Sequence, residues 1–191
     1  MTVEVVNSTS VPFGTSNNLY LVGEVINRSL ENVTFVRIDA VLRNDNGEIV
    51  DSTLSYADIN VLAPGMTSSF RIIFRDTPVY ASYELTLDWS KTTREPTELQ
   101  ITNLETYFDS FDAFHAKGVV TNQFAILHQF VKIFMVMYDA NHHAIGTHHG
   151  HTSPPALHPG QQSPFDLDVY FWKGKPDHTQ VASYSVRAYD D

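Results

Sequence analysis

Along Val36–Arg43 the side chains alternate in character. Val36, Ile38, Ala40 and Leu42 are apolar, and the intervening positions are Arg37, Asp39, Val41 and Arg43. A period of two is the mark of a strand with one face in a core. Asn46-Gly47 follows as a tight-turn signal, and Leu62-Ala-Pro-Gly65 marks another turn. The segments "SSFRIIF" and "SPFDLDVYF" read as strands after such turns. Nowhere does a 3.6-residue apolar period persist through the length of a helix.

The same pattern occurs twice. Gly23-Glu-Val-Ile-Asn27 lies 95 residues before Gly118-Val-Val-Thr-Asn122, and the offset holds without gaps for some fifty residues. Phe35-Val-Arg-Ile38 meets Phe130-Val-Lys-Ile133, Leu62-Ala-Pro-Gly65 meets Leu157-His-Pro-Gly160, and Phe70 meets Phe165. The copies then slip by six: Ala81-Ser-Tyr83 matches Ala182-Ser-Tyr184, with the insertion at "WKGKPDHT". About seven short strands per copy, with turns between them, predict an all-β chain. The expected fold is two tandem immunoglobulin-like antiparallel β-sandwich domains, residues 1–93 and 94–191, joined near "KTTREPTE".

The G-x-V-x-N run, a strand ending Met137-Tyr138-Asp139, then Asn141 and Leu-x-Pro-Gly together resemble the FxLYD domain. The resemblance covers about Ala113 to Val169 in the second copy. It is looser in the first, where Leu42-Arg43-Asn44 stands at the Met-Tyr-Asp position. It implies a small immunoglobulin-like sandwich of prokaryotic extracellular proteins and names no ligand.

Composition narrows the function classes. A formal net charge of −10 with only 12 Lys and Arg argues against binding nucleic acid and against docking on anionic lipid. No apolar run is long enough to span a bilayer, so no membrane insertion is expected. Cysteine is absent, which excludes disulfides and thiolate chemistry. The opening "MTVEVVNSTS" has no leader character, yet an extracellular or cell-envelope location is expected from the resemblance.

Six of nine histidines fall between Asn141 and Gly160. In a sandwich, His142 and His143 occupy a hairpin turn at one pole, joined there by His178. His128, His149, His151 and His158 are expected at the other. His149 and His151 are two apart on one strand and share a face. Their counterparts, Leu54 and Tyr56, read as core-facing. His-x-His with a third imidazole from a nearby loop makes a candidate site for Zn²⁺, Cu²⁺ or Ni²⁺, although the fold requires no cofactor. The competing reading, incidental or structural histidines in a polar strand, is favoured because no acidic residue lies among them.

A second contrast concerns the outward face of one strand. It reads Arg37, Asp39, Val41, Arg43 in the first copy, but Lys132, Phe134, Val136, Tyr138 in the second. A strand apolar on both faces needs a cover. The candidates are the sister domain, a second copy forming a homodimer, or a protein partner, with Phe134 and Tyr138 as anchors.

Weaker signals remain. Glu105, Asp109 and Asp112 suggest a Ca²⁺ loop, but the spacing favours a solvated loop. Asn27-Arg-Ser29 and Asn32-Val-Thr34 fit a glycosylation pattern. No nucleophile, metalloprotease or nucleotide-binding motif is present. A catalytic zinc on His149, His151 and His158 would still need a general base and a walled cleft. The sequence therefore predicts a non-enzymatic binding or spacer module. A metal-binding surface protein is the first alternative, and a self-associating structural subunit the second.

Overall fold

The computed structural model describes residues 2–13, 17–111, 113–170 and 178–190. The chain is all-β, built of several antiparallel sheets in an arrangement consistent with a β-sandwich. The strands are β1 (Val3–Phe13), β2 (Asn18–Asn27), β3 (Val33–Arg43), β4 (Ile49–Tyr56), β5 (Val61–Leu62), β6 (Thr67–Phe74) and β7 (Ser82–Lys91). After the connection through Thr92 to Pro96 come β8 (Thr97–Phe108), β9 (Ala113–Thr121), β10 (Val131–Tyr138), β11 (Ala144–His151), β12 (Gln162–Tyr170) and β13 (Ser183–Asp190). A 3-10 turn, His178–Gln180, precedes β13. No helix among the described residues is long and apolar enough to cross a membrane.

The first half forms two sheets, β1-β2-β6 and β4-β3-β5, with β7 also paired to β3. The second half forms one sheet ordered β11-β10-β13-β8-β9-β12. That continuity comes from β8, which begins beside β13 at Thr97–Leu99 and continues beside β9 from Gln100. The 95-residue offset survives as register. Strand β11 starts and ends 95 residues after β4, and the Val33↔Leu62 pair recurs as an isolated bridge, His128↔Leu157. A bulge between Leu42 and Arg43 recurs between Met137 and Tyr138. Strands β7 and β13 begin at Ser82 and Ser183, 101 apart and so six beyond the offset. Most of the "WKGKPDHT" insertion lies outside the described residues.

The repeated glycines share one environment. A Cβ on Gly23 would meet the Phe70 ring at 2.7 Å and the Asn7 carbonyl at 2.3 Å, and one on Gly118 the Phe165 ring at 3.0 Å and the Thr102 carbonyl at 3.1 Å. In both halves a phenylalanine ring rises under the second strand; a Cβ at Gly23 would collide with it, and one at Gly118 would press on it.

The repeated asparagines explain the loops. Asn27 and Asn122 are fully buried. Asn27 Nδ2 donates to the carbonyls of Glu31 and Leu62, each at 2.8 Å, while its Oδ1 accepts from Ser29 N at 2.9 Å. Asn122 does the same to Ile126 and Leu157, and accepts from Phe124 N. Each amide thus ties the loop after the second strand to the turn before the Pro-Gly, satisfying buried backbone groups that a hydrocarbon would leave unpaired. Asn27 is therefore a structural plug, not the surface acceptor its glycosylation pattern suggests.

Each half has its own apolar core. Leu21, Ile38, Leu42, Leu62, Phe70 and Phe74 fill the first. Val120, Ile133, Met135, Leu157, Phe165 and Leu167 fill the second. Phe134 and Tyr189, although in the second half, belong to the first core.

Asn27→Ala and Asn122→Ala should each cost about 2–3 kcal/mol in urea unfolding, because two carbonyls and an N–H lose partners. A loss under about 0.5 kcal/mol would show that other contacts hold these loops.

Candidate functional site

The apolar stripe lies in a seam between the halves. Strand β10 alternates, so Val131, Ile133, Met135 and Met137 enter the second core while Phe134 and Val136 face the first half and are buried there. Val136 and Ala144 pack with Val22, alongside Tyr20 and Tyr138. Of the three covers considered for this stripe, the sister half is the one present, so the face holding Phe134 and Val136 is not open to a homodimer or a partner. Lys132 keeps a partly exposed place at its end, with Nζ 5.4 Å from the Phe134 ring centre.

Polar groups close the seam around that apolar centre. Tyr138 Oη donates to Glu24 Oε1 at 2.9 Å, and Asn7 Nδ2 donates to Glu24 Oε2 at 3.0 Å. The backbone N–H of Ala144 reaches Asn7 Oδ1 at 3.2 Å, and Arg71 Nη1 reaches the Thr147 carbonyl at 3.4 Å. Burial, then the Glu24 charge, holds the Tyr138 hydroxyl far above the usual phenol range, so it stays a donor. A cavity of about 30 Å³, bordered by Glu24, Ser69, Phe134, Tyr138 and Arg187, is the space left inside. The comparison of copies on β3 and β10 pointed to the stripe. The receiving residues, Asn7, Glu24 and Arg71, carry no such signal, because their partners Ala144, Tyr138 and Thr147 lie far along the chain.

The histidines do not converge. His128 is buried at the place of Val33, with Nδ1 2.7 Å from Asp190 Oδ2, and its Nε2 has no hydrogen-bond partner among the described residues. It anchors the last strand and is not a surface ligand. His149 and His151 stand on the outer face of β11, opposite Phe134 and Lys132, and His158 is exposed in the following turn. His142 and His143 occupy the β10–β11 turn and are exposed, with His143 Nδ1 3.5 Å from Asp139. The His178 side chain lies outside the described residues. Among the described residues no three His, Cys, Asp or Glu side chains come together to hold a metal ion.

The phase assigned to β4 also needs correction. Leu54 and Tyr56 are half-exposed and face outward. The bulge inserts Val50 between Ile49 and Asp51 in the pairing, so Val50 is out of step with the residues that follow. His149 and His151 thus replace outward residues, not core ones.

Near the seam, His149 interacts with Asp58, Lys132, Arg71 and His151. Partial burial lowers its pKa from 6.5, and Asp58 opposes that. Asp58 is itself raised by burial, against the Ser69 hydroxyl that donates to it at 2.5 Å.

The outer face of β8-β9-β12 carries a separate polar network. His115 lies between Asp109 (3.5 Å) and Asp166 (3.4 Å), and Tyr107 stacks on it at 4.8 Å. Asp109 caps its hairpin by accepting from Phe111 and Ala113, which lowers its pKa. Its carboxylate is therefore already engaged, and Asp112 of the expected Ca²⁺ loop lies outside the described residues. Beside this network an open groove of about 610 Å³ runs over Gly118, Val119 and Phe165, bordered by Glu105, Lys117, His151 and Asp166.

Two measurements follow. His149 has a depressed folded pKa, so its contribution to stability is complete above pH 6.5 and is lost as pH falls through the folded value. Melting temperature should drop with acidification below 6.5, and His149→Gln should flatten that part of the curve; an unchanged slope would remove His149 from the seam's energetics. Calorimetry with Zn²⁺ should give only weak heat that His149→Ala/His151→Ala does not change, whereas stoichiometric heat lost in that variant would show that the side chains regroup around metal. Compared with protein-family models the sequence matches none, and no curated protein sequence matches it.

Proposed function

We propose that the chain is a non-enzymatic binding or spacer module of the cell envelope or extracellular space, made of two like sandwich domains at 1–93 and 94–191 and similar to FxLYD domains. The observation that carries this reading is the seam. Phe134 and Tyr189 of the second half complete the apolar core of the first, and Tyr138 reaches across to Glu24. Two small units fixed in this way hold their outer surfaces at a constant separation, which is what a spacer or presenting scaffold requires. Among the described residues no three His, Cys, Asp or Glu side chains gather into a donor set, which favours this reading over metal binding.

Scanning calorimetry tests the coupling. The whole chain should unfold in one transition, and Phe134→Glu, which buries a charge in the first core, should split it into two and cost about 3 kcal/mol or more. Tyr138→Phe should keep one transition and cost about 1–2 kcal/mol. Two transitions in the unaltered chain would refute the fixed spacing. Fractionation of the source cells tests the location, since protein confined to the cytosol would contradict it.

A further inference from the structure

The seam uses one face of each half, and the equivalent faces remain open. In the first half the receiving face is the outer side of β1-β2-β6, where Val22 is buried by the second half. Its equivalent in the second half is the outer side of β8-β9-β12. There His115, Lys117 and Val119, the counterparts of Tyr20, Val22 and Glu24, are all partly exposed, and the groove of about 610 Å³ lies over Gly118 and Phe165. The inserting face of the second half is the outer side of β10 and β11. Its equivalent on the first half carries Arg37, Val41 and Arg43, partly exposed, and Leu54 and Tyr56, half-exposed.

We propose that this groove receives the β3–β4 face of a second copy of the chain, repeating between molecules the contact that joins the two halves within one. The charges are arranged for it. Within the chain, Arg71 and Lys132 both lie close enough to Asp58 to act on its charge. Under the 95-residue offset Arg71 becomes Asp166, Asp58 becomes Ser153 and Lys132 becomes Arg37. The repeated contact thus brings Arg37 of the incoming copy to the neighbourhood of Asp166, a pair of opposite charges with no acid held between them. Leu54 and Tyr56 supply apolar surface opposite Val119 and Pro164. Asp39 stands where Phe134 would be, and Arg37 and Arg43 already contact Asp39, Asp88 and Glu84. Lacking the buried ring, this association is weaker than the intrachain seam and depends on salt. Because the two faces differ, it runs head to tail.

Sedimentation of the full chain at low salt tests the contact. Apparent mass should rise beyond one chain with concentration and return to one chain at high salt. Asp166→Arg and Arg37→Glu change exposed side chains, and each variant alone should remain a single chain. An equimolar mixture should associate again and grow past two chains, because intact groove meets intact face and altered groove meets altered face in alternation. The doubly reversed chain, Asp166→Arg/Arg37→Glu, should associate again. A single chain at every concentration, or association that neither substitution alters, would overturn the proposal. That result would leave the fixed spacing of the halves untouched, since calorimetry of Phe134→Glu reads it independently.

Discussion

A buried primary amide cannot be left unsatisfied, and this chain places one at the same point in each half. Asn27 and Asn122 each join a loop, a turn and their own strand by hydrogen bonds that no apolar side chain could make. Because the amide fixes where the Pro-Gly turn sits, it also fixes where the strand after that turn enters the core. The glycine under each phenylalanine ring follows from the same constraint, since the ring arrives at a set height and the second strand has to clear it.

Once the halves share this frame, their differences carry the information. Arg37, Asp39, Val41 and Arg43 leave the first half's β3 facing water, whereas Phe134 and Val136 bring β10 onto the first half. The exchange of a few outward residues is enough to turn a solvated sheet face into an internal contact, because burial of apolar area scales with the number of such residues. The polar ring of Asn7, Glu24 and Tyr138 then fixes orientation, as hydrogen bonds are directional and hydrophobic contact is not.

The repeat, the strands around Val36–Leu42 and the need to cover Phe134 were legible because they rest on parity and on like residues at a constant offset. The phase of β4 was not, since one bulged residue, Val50, reverses a parity that a sequence carries without marking. His128 was misplaced for a related reason. A histidine at a valine position looks like a surface ligand until a partner is known, and Asp190 lies 62 residues away. Pairings of that range, like the hydrogen bond between Tyr138 and Glu24, leave no trace in local pattern.

Tyr189 has an implication for how the polypeptide matures. It fills a gap in a core whose other members from the first half end at Trp89, 100 positions earlier. During synthesis the leading unit emerges with that gap unfilled and Val22 bare, and stays so until the trailing unit is made. Its surface is thus adhesive for the interval of translation, which makes the growing chain's own second unit, by proximity, the favoured occupant over any stranger.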